Sequence, residues 1–286
     1  GLPFNIAPGK RTCPPPNADW MAAFILLPWF VHLHYGTLEP ALRHWDGMSR
    51  LIDHFLESAP DGILRGGLGD WFDPGGDRCC SHTSPDLTTT IWLHQCAGIM
   101  SRFARLLGHP GRAAFLEKES TRIRAAFLQA FFDDSRGGFG SQTADAMALH
   151  FGMVPEGREQ QVLDNLVADI RERDTHLNTG IMGVRFLLEV LTRNGYGELA
   201  LAVMRQDTYP GFGDWIRRGA TTLWEYWGEA QHDRERGARS HNHPMMGGFD
   251  NWFFNTLAGI RPDPDGPGFE SFFLEPHPVQ SIGWLE

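Results

Sequence analysis

One glutamate stands among large aromatic side chains in the segment 219–227, Gly-Ala-Thr-Thr-Leu-Trp-Glu-Tyr-Trp. It is Glu225, and its neighbours are Trp224, Tyr226 and Trp227. Aromatic faces commonly support the C–H surface of a sugar, and a carboxyl group held against them can have its pKa raised into the working range of an acid or base. The segment therefore indicates a carbohydrate site. Trp224 and Trp227, three residues apart, are also compatible with the buried stripe of a helix that leaves Glu225 in solvent.

Three loops of the chain combine glycines with aromatic residues. They are Gly-Gly-Leu-Gly-Asp-Trp at 66–71, Gly-Gly-Phe-Gly at 137–140 and Gly-Phe-Gly-Asp-Trp at 211–215. Each follows a segment with helical spacing of apolar residues, and alternate loops of an up-down helical array emerge at one end. We expect the three loops to surround a common mouth.

The helices that must position these loops follow one another along the chain. Residues 1–18 are rich in Pro and Gly and predict an extended loop, and no segment before residue 260 alternates as a strand would. Two short strands are expected near the end, at 269–276 and 282–285. The predicted helices are 19–34, 38–58, 85–107, 110–132, 143–151, 155–173, 181–194, 197–206 and 244–258.

Several segments together resemble the bacterial α-L-rhamnosidases of glycoside hydrolase family 78. The most specific are Thr-Thr-Leu-Trp-Glu-Tyr-Trp at 221–227 and Asn-His at 242–243, followed by Leu-Ala-Gly-Ile-Arg-Pro-Asp at 257–263. Four further segments resemble segments of the family and occur in the same order along the chain. They are residues 3–9, Asp-Trp at 19–20, Gly-Asp-Trp at 69–71 and Ser-Gln-Thr-Ala at 141–144.

The resemblance covers nearly the whole chain and implies an all-α fold, the (α/α)6 toroid of six helical hairpins. About nine helices can be counted against the twelve of a closed ring, so we expect a barrel that lacks its first helices. We expect the barrel to occupy residues 1–261, and residues 262–286 to begin a C-terminal β-sandwich. The implied activity is inverting hydrolysis that releases terminal α-L-rhamnose from glycosides or polysaccharides.

The resemblance makes Glu225 the general base. Inversion also needs an acid carboxyl group on the other side of the scissile bond, about 6.5–9.5 Å away. The family's acid is a Glu in an acidic, Arg-containing segment upstream of the part that Gly1 resembles, and residues 1–18 contain no such segment. The chain could belong to a longer enzyme, a loop aspartate (Asp70, Asp73 or Asp214) could be the acid, or the chain could bind sugar without cleaving it.

The loops and the resemblance predict a set of sugar-binding residues. Trp71 would stack on the sugar and Asp70 would accept a hydroxyl proton; alternatively, Asp70 caps a helix or loop and Trp71 packs beneath it. His243 would hydrogen-bond to sugar hydroxyls, or else be satisfied at a helix start. Further candidates for the same mouth are Trp224, Phe212, Asp214 and Trp215.

Composition excludes several other classes of function. The 286 residues have a formal net charge of −10, which disfavours nucleic acid or an anionic membrane as a partner. The apolar run at 20–33 is too short to span a bilayer and contains Pro28. The first residues do not have the pattern expected of a signal sequence, so we expect any export signal to lie outside this sequence; the compartment and oligomeric state stay undecided. The expected partner is a rhamnose-containing glycoside or polysaccharide.

No cofactor or metal is expected. The chain has no Gly-rich nucleotide loop, and His241 and His243 are two apart, a spacing that suits metal ligands only on a strand. The four cysteines, Cys13, Cys79, Cys80 and Cys96, do not form a disulfide framework, so we expect free thiols; a bridge from Cys13 to one of the adjacent pair is the alternative.

Two further functions stay open. Another toroid glycosidase or a polysaccharide lyase would share the fold, and a lyase would need a cationic clamp for a uronate, for which Arg65, Arg217 and Arg218 are available. A carbohydrate-binding domain that lacks the acid would keep the aromatic residues alone.

Overall fold

The computed structural model describes residues 3–4, 18–75, 82–228 and 240–283. These residues are mainly helical, and their last part contains a 3-10 helix at Pro244–Phe249 and a π-helix at Trp252–Leu257. Two short strands, β1 (Ile260–Pro262) and β2 (Phe272–Leu274), pair with each other. The α-helices are α1 (Ala18–Met21), α2 (Ala23–Tyr35), α3 (Glu39–Ser58), α4 (Pro85–Leu106), α5 (Pro110–Phe131), α6 (Gln142–His150), α7 (Glu159–Glu172), α8 (Gly183–Arg193), α9 (Gly197–Met204) and α10 (Phe212–Arg217).

The all-α prediction is confirmed, and eight predicted helices appear with ends shifted by a few residues. The ninth, over 244–258, is replaced by the 3-10 helix and the π-helix. Helix α10 was not predicted, because Gly211 and Gly213 indicate a loop. The predicted strand at 269–276 contains β2, β1 was not predicted, and the predicted strand at 282–285 extends into residues outside the described part.

Helices of two kinds alternate along the chain. In α4, 14 of 22 residues are buried, and in α8 nine of 11, so these helices are enclosed on most faces. Helices α5 and α7 bury four of 22 and five of 14 residues, as expected for helices with one face toward the core. A series of helical hairpins, each with one enclosed helix and one helix with a solvent-facing side, has this alternation.

The chain divides into two compact units. The first comprises Gly1–Gly69, Pro85–Phe132 and Pro262–Phe273, and within it α4 packs against α1, α2, α3 and α5. The second comprises Asp70–Ser84, Asp133–Arg261 and Leu274–Glu286, and within it α8 packs against α6, α9, the 3-10 helix and the π-helix. The predicted division at residue 262 into a barrel and a second domain stays a prediction.

Two predictions concern single features of the chain. No helix in the described ranges is both long and apolar enough to cross a membrane. Cys96 is a free, fully buried cysteine, and burial raises the pKa of its thiol to about 12. The other three cysteines lie outside the described residues.

Candidate active site

The segment that carries Glu225 is irregular and lies beside the segment that begins at Ser240. The backbone N–H of Glu225 donates to Ser240 O at 3.0 Å, and the N–H of His243 donates to Leu223 O at 2.9 Å. The hydroxyl of Thr222 also donates to His241 O. No helix forms here, so the predicted alternative of a buried helical stripe is not what the structure contains.

Glu225 is half-buried, and its carboxylate is held from one side. Its Oε2 accepts a hydrogen bond from Ser240 N at 3.2 Å. Within the described ranges this is the one hydrogen bond to the carboxylate. The role of Glu225 as a general base stays a prediction.

His243 caps the 3-10 helix that follows it. Its Nδ1 accepts a hydrogen bond from Met245 N at 3.2 Å, so in the neutral ring the proton is on Nε2. The half-buried imidazole therefore presents Nε2–H as a donor. The helix-capping alternative and the predicted sugar contact are compatible, because they use different ring nitrogens.

Trp224 is 6 % exposed, and its ring contacts one aromatic side chain, His241, and one cationic side chain, Arg218. The His241 ring is stacked on it, with centroids 4.1 Å apart and planes 10° apart, and the Arg218 guanidinium carbon lies 4.7 Å from the indole centroid. With these groups against the ring, the structure argues against the predicted role of Trp224 as a platform for sugar.

The second Gly-Asp-Trp tripeptide, 213–215, is also buried. Trp215 is 2 % exposed and stacks on Trp227 at a centroid distance of 4.6 Å. Asp214 is 8 % exposed and forms ion pairs with Arg217 at 3.6 Å and Arg218 at 3.3 Å. These contacts argue against the predicted sugar contacts of both residues, and an ion-paired carboxylate is poorly suited to the general acid.

Asp70, from the first tripeptide, is 0 % exposed and bonded through both carboxylate oxygens. Oδ2 accepts from Thr143 Oγ1 and from Gly180 N at 2.7 Å, and Oδ1 accepts from Met182 N at 2.9 Å and Gly183 N at 3.1 Å. Burial raises the pKa of Asp70 to about 6, although these hydrogen bonds oppose the rise.

The two carboxylate oxygens of Asp70 accept hydrogen bonds from the backbone N–H groups at the start of α8. The N-cap residue of this helix forms no side-chain cap hydrogen bond itself. Of the two predicted roles for Asp70, the structure contains the helix cap. It argues against direct contact with a sugar, because no exposed oxygen remains on the side chain.

Trp71 is half-buried and belongs to a chain of aromatic contacts that leads to Tyr226. Its ring lies edge-on to Phe72 at 4.9 Å, and Phe72 contacts Tyr226 at 5.5 Å. Phe72 is 5 % exposed and has φ = 60°, a left-handed conformation that a bulky residue adopts only where its surroundings enforce it. The contacts link Trp71, through Phe72, to Tyr226, the residue that follows Glu225 in sequence.

The remaining loop aspartate, Asp73, is 2 % exposed, and its Oδ2 accepts from His82 N at 2.7 Å. No group of three His, Cys, Asp or Glu side chains in the described ranges is arranged to hold a metal ion.

Sequence reasoning did not single out Thr143 or the segment 179–183 as parts of this site. It considered Arg218 only as a cation for a lyase and His241 only as a metal ligand. Two glycines, Gly180 and Gly183, stand three apart where helix α8 begins, and this spacing is a signal of close backbone approach that could have identified the segment.

The described residues form a helical fold in which the half-buried Glu225 is followed in sequence by a partly exposed aromatic residue, Tyr226. The family model described as the bacterial alpha-L-rhamnosidase 6 hairpin glycosidase domain matches residues 1–257. The chain therefore belongs to this family, as the resemblance implied.

Known relatives support the assignment and are much longer than this chain. An alpha-L-rhamnosidase from Formosa agariphila is 32% identical over 96% of this chain and 30% of its own length. The structure of an alpha-L-rhamnosidase from Dictyoglumus thermophilum matches 95% of this chain and 31% of its own, with a TM-score of 0.86 and 35% identity. That of the Streptomyces avermitilis enzyme complexed with L-rhamnose matches 92% and 25%, with a TM-score of 0.79 and 29% identity. The chain spans about a third or less of each relative.

Proposed function

We propose that this chain is the helical catalytic domain of an α-L-rhamnosidase, which releases terminal α-L-rhamnose from glycosides or polysaccharides with inversion. The observation that carries the proposal is the chain of aromatic contacts from Trp71 through Phe72 to Tyr226, which links a partly exposed indole to the residue next to Glu225 in sequence. Family membership and the relative that was solved with L-rhamnose favour this substrate over other sugars.

In the proposed reaction, Glu225 takes a proton from a water molecule. The water attacks the anomeric carbon from the face opposite the leaving group, and the bond from that carbon to the glycosidic oxygen breaks. The leaving oxygen is protonated by an acid carboxyl group, and the sugar is released as β-L-rhamnose. Ser240 N–H, which donates to Oε2, orients the carboxylate.

Two other residues would bind the sugar. Trp71 would stack on its C–H face, and the Nε2–H of His243 would donate to a hydroxyl oxygen, since Nδ1 is engaged by Met245 N–H. We assign the acid to none of Asp70, Asp73 and Asp214, because each is buried and accepts hydrogen bonds or ion pairs from the protein.

The substitution Glu225→Gln in the intact protein tests the proposal. The amide keeps the shape but cannot take a proton, so kcat for an aryl α-L-rhamnoside should fall by about 10²- to 10⁴-fold while substrate still binds. A better leaving group should not rescue the variant, because it relieves the acid and not the base. The matched control is Glu119→Gln, which changes a half-buried glutamate paired with Arg122 in the other unit and should leave turnover intact.

The anomeric configuration of the product formed with azide shows from which side the sugar is attacked. In Glu225→Ala, azide entering the vacated space should attack from the side of the water and give the β-rhamnosyl azide. An α-azide would indicate a retaining mechanism, and near-wild-type turnover by Glu225→Gln would remove Glu225 from the mechanism. Rhamnose binding by the wild-type protein without any cleavage would instead identify a carbohydrate-binding domain.

A further inference from the structure

We infer that Asp70 is a positioning residue, which fixes the loop carrying Trp71 onto the segment 179–183, the same segment that supports the chain around Glu225. The identity of the sugar that Trp71 meets rests on the proposed function, whereas the mechanical role of Asp70 does not. Three sets of contacts, all within the second compact unit, carry the inference.

The first set is the carboxylate itself. Its two oxygens accept from three backbone N–H groups of residues 180, 182 and 183 and from the Thr143 hydroxyl. A buried carboxylate bonded in this way resists displacement, because any movement leaves several buried donors without acceptors. The backbone of residue 70 is therefore fixed to the start of α8.

The second set joins the next residue along the loop. Ile181 N donates to Trp71 O at 3.1 Å, so two consecutive loop residues, 70 and 71, are both bonded to the segment 179–183. The approach is so close that only glycine fits at position 180. A Cβ on Gly180 would lie 2.6 Å from Asp70 O and would also collide with Trp71 O.

The third set attaches the other part of the site to the same segment. The indole Nε1 of Trp227 donates to Thr179 O at 2.7 Å, and Trp227 is two residues from Glu225. The segment 179–183 thus holds the Trp71 loop through Asp70 and the Glu225 chain through Trp227. Loosening the Asp70 contacts should displace Trp71 while the contact between Thr179 and Trp227 persists.

Asp70→Asn is the sharpest perturbation. The side chain keeps its shape, but an amide nitrogen placed at Oδ2 would face the N–H of Gly180, so a donor meets a donor. We expect backbone amides of residues 180–183 to exchange hydrogen at least about 10-fold faster under native conditions. The matched control is Asp214→Asn, the same change in the other Gly-Asp-Trp tripeptide, and it should not accelerate exchange in this segment.

Milder variants keep the test decisive if Asp70→Asn folds poorly. Thr143→Val removes one of the four donors and should accelerate exchange at Gly180 to a smaller extent, while Thr143→Ser keeps the hydroxyl and should not. Amides of α7 serve as a reference for global opening. Unchanged exchange at 180–183 in both Asp70→Asn and Thr143→Val would overturn the inference, whatever the protein binds.

A double-mutant cycle then shows whether Asp70 acts through Trp71. We expect Asp70→Asn to raise KM for an aryl α-L-rhamnoside about 10-fold and to change kcat less than threefold. In a Trp71→Ala background, the same substitution should change KM less than twofold. An undiminished effect there would overturn positioning through Trp71 and indicate direct contact with substrate. Failure of the wild type to bind rhamnosides would refute the proposed function, and the exchange experiment would still decide the role of Asp70.

Discussion

The tripeptide Gly-Asp-Trp occurs twice in this chain, at 69–71 and 213–215, and the two copies have different environments. In the first, the aspartate accepts hydrogen bonds from backbone N–H groups and the tryptophan is half-buried. In the second, the aspartate pairs with two guanidinium groups and the tryptophan is buried against another indole. The same three residues thus produce a candidate sugar platform in one place and core packing in the other.

The residues that follow each copy explain the difference. Asp214 lies in α10, and Arg217 and Arg218 follow it at i+3 and i+4, the spacing that brings helical side chains together. Asp70 is followed by a turn, in which Asp73 N donates to Asp70 O, and no cation stands at those positions. Its carboxylate is instead satisfied by a distant helix start. The tripeptide alone therefore does not determine the role of its aspartate, which depends on the residues that follow.

The largest expected difference between the copies is in stability. Trp215→Ala should lower the free energy of unfolding by about 3–5 kcal/mol, because the indole is 2 % exposed and its removal leaves a cavity beside Trp227. Denaturant unfolding of the variant and of Trp71→Ala measures the contrast. Equal losses for the two variants would mean that both tryptophans are core residues and would remove the distinction.

Much of the fold was predictable from local patterns, and the partners within the site were not. Helices such as α3, α5 and α7 have apolar residues at three-to-four spacing, so their existence follows from periodicity. Family resemblance made Glu225 the candidate base and, together with the Gly-rich loop, made Trp71 the candidate sugar platform; both roles stay predictions. The contact between Asp70 and Gly180 joins residues 110 positions apart, and no local pattern encodes which donor meets which acceptor over that distance.

The second expected difference is in pH dependence. Burial raises the pKa of Asp70 from 3.8 to about 6, so its contribution to stability is complete below about pH 4 and is lost as the pH rises through 6. A rise of this size corresponds to about 3 kcal/mol. Asp70→Asn has no proton to lose, so its destabilisation relative to wild type should shrink by about that amount between pH 4 and pH 7.5.

Unfolding free energies of both proteins at several pH values between 4 and 7.5 measure this change. A difference that stays constant would mean that Asp70 keeps its ordinary pKa in the folded protein, and the electrostatic part of the comparison would fail.

The smallest expected difference concerns ligand affinity and depends on the exposed part of Trp71. Trp71→Ala should weaken binding of L-rhamnose by about 1–3 kcal/mol, since a large stacking surface is lost. Its free energy of unfolding should fall less than that of Trp215→Ala, because the half-buried indole leaves a smaller cavity. Trp71→Phe, which keeps an aromatic face, should retain part of the affinity.

Calorimetry with the wild type, Trp71→Ala and Trp71→Phe measures the affinity for L-rhamnose, and thermal melting measures the stability of the same three proteins. Unchanged affinity together with a lowered melting temperature would place Trp71 in the core beside Phe72, and both copies of the tripeptide would then serve packing alone.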